Sequence, residues 1–196
     1  MELLIKVKDY DKYFNLLSES KLEKDWTFFM DAMSKNKELV DKFKLYMKLK
    51  NCGFLLKKYL SKFSCLEFQS NFEFQKVYYD ILKFVTENYE FKNYFIKNLL
   101  INQIIKLAYM DKSGEHKQDL KTYLSENKCK DEWIEELLLI FKLYEALSIY
   151  YQINEKYEQA LNIYKQHFPN EIENIEKLND KIKELSSEIS NDSQLN

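Results

Sequence analysis

The chain has 196 residues, of which 45% are hydrophobic and 16% aromatic, too apolar for a disordered polypeptide and enough for one substantial domain or two small ones. Two glycines and one proline leave almost no turn punctuation, which excludes a sheet protein and points to an all-α fold with short connections. Net charge is −2, and all thirty basic residues are lysine. Without arginine, bidentate phosphate or guanine recognition, arginine fingers and arginine–histidine nuclease pairs are excluded.

Helical periodicity recurs along nearly the whole chain. A first helix is predicted over Tyr10 to Leu17. "SKLE" at 20–23 reads as a capping box, with Ser20 capping and Glu23 reaching back, and opens a helix to about Met33. Leu39, Val40, Phe43, Tyr46 and Met47 share one face of a helix over Lys37 to Lys50, which Asn51 and Gly53 terminate. Another helix is predicted from Phe54 to about Leu66.

These two helices share the stretch "KFKLYMKLKNCGFLLKKYLSKF" (42–63), with seven lysines and no acid. On a wheel the aromatic residues fall to the core side, and Lys44, Lys48, Lys57, Lys58 and Lys62 fall away from it. They form either a solvated face or a basic contact surface for nucleic acid or an acidic partner. Lysine neutralises phosphates without reading sequence. Lysine, asparagine, isoleucine and tyrosine are all abundant, as AT-rich coding produces, which gives the lysine count a bland origin as well.

"SNFE" at 70–73 is a second capping box and opens a helix to about Glu87. An apolar helix over about Phe91 to Met110 follows, then the loop "DKSGEH" at 111–116 and a polar helix from Lys117 to about Ser125. Asp131 caps the most hydrophobic segment, "EWIEELLLIFKLYEALSIYYQ". Its apolar residues point nearly all round, so it is expected to be one continuous, central, buried helix. A helix from about Lys156 to His167 follows, Pro169 breaks the chain, and Asn170 opens a last helix. Helix pairs beginning near 53, 91 and 131 recur at roughly forty residues, an interval that suits stacked helical repeats.

In the last helix Ile175, Leu178, Ile182, Leu185 and Ile189 step as a heptad seam. That seam serves either the bundle's own packing or docking with a partner helix or a second copy, as in a homodimer. The expected organisation is a helical domain over 1–170 followed by a C-terminal amphipathic helix and frayed tail over 171–196. Charge is uneven along the chain: residues 1–110 carry nineteen lysines and fourteen acids, residues 111–196 eleven lysines and eighteen acids. Such asymmetry fits chance drift of surface charge, an interaction polarity or a head-to-tail contact between copies.

Within 144–164, "YEALSIYYQINEKYEQALNIY" places Tyr144, Leu147, Tyr151, Tyr157, Ala160 and Tyr164 at the spacings of a tetratricopeptide repeat, which this segment resembles over about one degenerate repeat. Ser148 stands where that family has glycine and His167 where it has a late alanine, and Pro169 comes early. The resemblance implies a helical hairpin with a close crossing at Ala160, and a protein-binding role.

Residues with catalytic or ligating chemistry are scattered. His116 and His167 lie in different elements with no HExxH or His/Cys cluster, Cys52, Cys65 and Cys129 make no CxxC pair, and two isolated glycines cannot build a phosphate loop. No metal and no cofactor are expected, and no catalytic residues. Glu135 and Glu136 read as favourable charges at a helix start, not an acid/base pair. The opening "MELLIKVKDYDKYF" is charged too early for a secretory signal, and the longest apolar run, "LLLIF", is far short of a membrane span. The expectation is a cytoplasmic, non-catalytic adaptor that binds another protein. The alternative is a small inhibitor or regulator of a nucleic-acid-handling complex, such as a phage-encoded anti-defence protein, acting through the lysine face.

Overall fold

The computed structural model describes residues 2–20, 22–50, 71–88 and 94–192. The predicted stop at Asn51 and Gly53, the helix over Phe54 to Leu66, and Lys57, Lys58 and Lys62 lie outside these residues. Among those described there are eleven helices and no strand, so the fold is all-α as expected. The helices group into two compact units, 1–110 and 111–196. The change in charge along the chain falls at the same place.

The first unit holds α1 (Glu2–Lys6), α2 (Tyr10–Glu19), α3 (Glu23–Lys35), α4 (Lys37–Lys50), α5 (Phe72–Asn88) and α6 (Tyr94–Met110). Helix α4 packs on α2, α3 and α5, and α5 also packs on α3 and α6. Apolar spacing explains the arrangement: the five core positions predicted on α4 are all buried. Phe43 of α4 meets Phe29 of α3 edge-on at 4.6 Å between ring centroids and Phe14 of α2 at 5.3 Å. Such aromatic contacts contribute roughly 0.5–1.5 kcal/mol each beyond the area they bury. Between α5 and α6 the fully buried Gln103 amide donates to the Gln75 carbonyl oxygen at 3.0 Å and also bonds the Gln75 side-chain oxygen. A buried polar pair of this kind fixes which turns of the two helices face each other.

The second unit holds α7 (Glu115–Asn127), α8 (Glu132–Ile140), α9 (Tyr144–Ile153), α10 (Tyr157–His167) and α11 (Ile172–Asp192). Helix α9 is its centre, packing on α7, α8 and α10, and α10 in turn packs on α11. Helix α11 is joined to the unit through α10. Asp111 supports the start of α7. Its buried carboxylate accepts from the Ser113 N–H at 2.8 Å, the Ser113 hydroxyl at 2.7 Å and the His116 N–H at 3.0 Å, and pairs with His116 Nδ1 at 3.0 Å. The His116 amide bond first, then the Ser113 hydroxyl and the His116 ring, hold the Asp111 carboxyl well below the usual carboxylate range.

Several local expectations need correction. The segment 132–152 is not one helix. It breaks at Phe141, Lys142 and Leu143, because the Leu143 N–H bonds to the Leu138 carbonyl at 2.9 Å and the Lys142 N–H to that of Leu139 at 3.1 Å. Lys142 takes φ 55°, which completes a Schellman ending without glycine. Helix α3 opens at Glu23 with Leu22 at the cap, and the Ser20 hydroxyl donates to Asp25 and accepts from the Leu22 N–H, while the Glu23 side chain that the expected box requires lies outside the described residues. At α5 the Asn71 side-chain oxygen accepts from the Phe74 N–H at 3.0 Å, and Ser70, the expected cap, lies outside the described residues. Glu115 and His116, predicted as loop, form the first turn of α7, and Asp131 precedes α8 without a side-chain capping bond.

Candidate functional site

Helix α4 carries two apolar stripes. Opposite the core stripe, Leu45 and Leu49 stand one turn apart at 51% and 74% exposure. They line a groove of about 820 Å3 between α4 and the α1–α2 corner. Across the groove lie Tyr10 and Asn15 of α2, with the Tyr46 hydroxyl donating to Asn15 Oδ1 at 2.8 Å. Lys8 bridges the two sides by an ion pair to Glu38 at 2.9 Å. The hydrogen bond from Lys8 holds the Glu38 carboxyl below its ordinary value and raises the Lys8 ammonium. The rims differ in sign: α4 contributes Lys42 and Lys50, and the α2 side contributes Asp9 and Asp11. The groove therefore offers apolar contact between a basic and an acidic edge.

Of the five lysines singled out in the sequence, two lie in the described residues. Lys44 is only a quarter exposed and approaches Asp80 of α5 at 3.9 Å. Lys48 is exposed. The lysines that line the groove are Lys8, Lys42 and Lys50, which sequence reasoning did not select. A signal existed: Leu45 and Leu49 are spaced i, i+4 and fall 200–240° from Phe43 on the helical wheel, so they could not share its face.

The repeat-like residues come together in α9 and α10. Leu147 and Ala160 are fully buried, Tyr151 and Tyr164 are buried, and Tyr144 and Tyr157 are half-buried. Ser148, at the position of the repeat's glycine, is fully buried and donates its hydroxyl to the Glu145 carbonyl at 2.7 Å. Tyr144 stacks on His167 with centroids 3.5 Å apart and planes 10° apart. Glu135 of α8 accepts from the Tyr151 hydroxyl at 2.9 Å and from Lys156 Nζ at 2.8 Å. Burial pushes the Glu135 carboxyl up, but these two bonds outweigh it and leave it lowered. Burial, followed by the hydrogen bond to Glu135, pushes the Tyr151 phenol up to about 12. This triad ties α8 to the hairpin. A lowered carboxylate paired with an ammonium and a neutral phenol is suited to structural work and not to proton transfer near neutral pH.

On α11 the seam residue Leu178 is buried, and Ile175, Ile182 and Leu185 are half-buried. Ile189 lies outside the residues whose side chains are described. At least the Leu178 turn is occupied within the unit.

Among the described residues no group of three or more histidine, cysteine or acidic side chains could hold a metal ion, and no helix is long and apolar enough to cross a membrane. Compared with known proteins, the chain matches no family model, no curated protein and no solved structure.

Proposed function

We propose that the protein is a non-catalytic binding module that recognises a segment of another protein in the α1–α2–α4 groove of its first unit. The observation that carries this reading is the pair Leu45 and Leu49, two large aliphatic side chains left more than half exposed on a helix whose other apolar residues are buried. Exposed aliphatics grouped in a concavity mark contact surfaces more often than scattered ones do. A groove of about 820 Å3 accommodates several side chains of a partner, and its two oppositely charged rims favour one orientation of that partner. The repeat-like hairpin supports the same class of function, since the family it resembles serves protein recognition. A cytoplasmic setting accords with this role.

The second reading is an inhibitor or regulator of a nucleic-acid-handling complex. It is supported by the coincidence of the charge change with the boundary between the units, which leaves residues 1–110 at net +5. The acids on one rim of the groove and the Lys44–Asp80 approach weigh against a surface built for phosphates.

Affinity capture from the cells that make the protein separates the two readings. The tagged full chain is compared with Leu45→Asp/Leu49→Asp. The adaptor reading expects a protein partner that is recovered with the parent chain and lost with the variant at unchanged helicity. Recovery of nucleic acid or a nucleoprotein in equal amounts from both would favour the second reading.

A further inference from the structure

The helix break at 141–143 opens a pocket of about 270 Å3 in the second unit. Leu120 of α7, Leu143 at the break, Ala146 of α9 and Phe168 after α10 form its apolar wall, and the first three are buried. Lys117, Lys121 and Lys142 stand around the wall with a single acid, Glu145. Lys121 is committed to that acid at 2.6 Å. Lys117 and Lys142 are exposed. The second unit as a whole has eighteen acids to eleven lysines, so the pocket sets a local field opposite in sign to its surroundings.

We propose that this pocket is a second recognition site, which anchors one aromatic side chain of a peptide segment whose flanking residues are acidic. Its volume lies below the roughly 300–1,000 Å3 of small-molecule pockets, so it suits a single side chain. Tyr144 and Phe168 supply aromatic neighbours for a ring held at the wall. Lys117 and Lys142 meet the flanking carboxylates, which adds an on-rate that falls with salt. The site shares no residue with the first-unit groove, so it stands or falls independently of the function assigned there.

The test is selection of a displayed random 12-residue peptide library on the full-length protein, followed by titration of the enriched peptides in solution. The expected consensus is an aromatic residue with acidic neighbours. Binding should weaken by at least about tenfold in Lys117→Glu/Lys142→Glu, as expected when charges facing an anionic partner are reversed. It should change by less than about twofold in Lys130→Glu/Lys183→Glu, an equal charge change at exposed lysines that do not line the pocket, and in Leu45→Asp/Leu49→Asp. Lys142→Gly relaxes the left-handed backbone position while deleting one rim charge. That variant should bind more weakly while melting at least as high as the parent, which separates lost recognition from lost folding. No enriched peptide, a consensus without acids, or binding indifferent to the Lys117 and Lys142 changes would overturn the proposal. Peptides lost only with the Leu45 and Leu49 variant would assign them to the groove instead, and would overturn it as well.

Discussion

The Leu143 N–H reaches back to the Leu138 carbonyl at 2.9 Å, closing α8 while Lys142 between them takes φ 55°. The same ending recurs after α9, where the Lys156 N–H bonds the Tyr151 carbonyl at 2.8 Å and Glu155 takes φ 60°. Glycine is the usual residue at such positions because it has no Cβ to crowd the following carbonyl. A left-handed residue with a side chain carries roughly 1–2 kcal/mol of strain. Glycine's greater freedom in the unfolded chain returns about 0.5–1 kcal/mol of that difference. Lys142→Gly and Glu155→Gly should therefore each raise stability, by about 0.5–1 kcal/mol, seen as a higher urea midpoint at unchanged slope.

These endings also explain where the sequence was legible and where it was not. Apolar spacing located the core face of α4 correctly, because burial of Leu39, Val40, Phe43, Tyr46 and Met47 depends only on the helical period. The α8–α9 break escaped the same reasoning. Neither its residues nor its flanks contain glycine or proline, and apolar residues continue through it, so no local punctuation marks it. It is a tertiary decision: separate helices let α9 pack on α7, α8 and α10 together. The groove escaped for a related reason. Leu45 and Leu49 lie among Lys44, Lys48 and Lys50, so the second apolar stripe is interleaved with charge and gives no continuous apolar signal.

Ala160 of α10 is fully buried, whereas Gln159 is exposed. Ala160→Leu should overpack the hairpin and cost roughly 1–3 kcal/mol. Gln159→Leu should be milder. Equal denaturant midpoints for the two would remove the close crossing that the repeat-like reading requires.

Tyr13 is completely buried, and among the described residues its hydroxyl has no hydrogen-bond partner. Burial, with a smaller contribution from Asp25, pushes its phenol far above the ordinary value. An unpaired buried hydroxyl costs about 1–3 kcal/mol. Tyr13→Phe removes it while keeping the ring against Phe14 and Phe29, at 5.8 and 5.7 Å. Thermal melts should show the variant equal to or more stable than the parent. A marked loss would mean that the hydroxyl is satisfied.

Asp111 gives the acid response. Its folded carboxyl is held below its unfolded value near 3.9, so the stabilisation it provides is complete above about pH 4 and is lost as pH falls through the folded value. Asp111→Asn should lower the melting temperature at pH 7. The gap to the parent should close progressively below about pH 4. A gap independent of pH would show that the loss comes from packing and not from the carboxylate.

Hydrogen exchange on the full chain, with and without the protein partner recovered by affinity capture, tests the central claim most directly. Slowed exchange should concentrate in residues 8–15 and 38–50, which frame the groove, and should disappear in Leu45→Asp/Leu49→Asp. Failure to recover any partner, or protection that leaves those two segments unchanged, would contradict it.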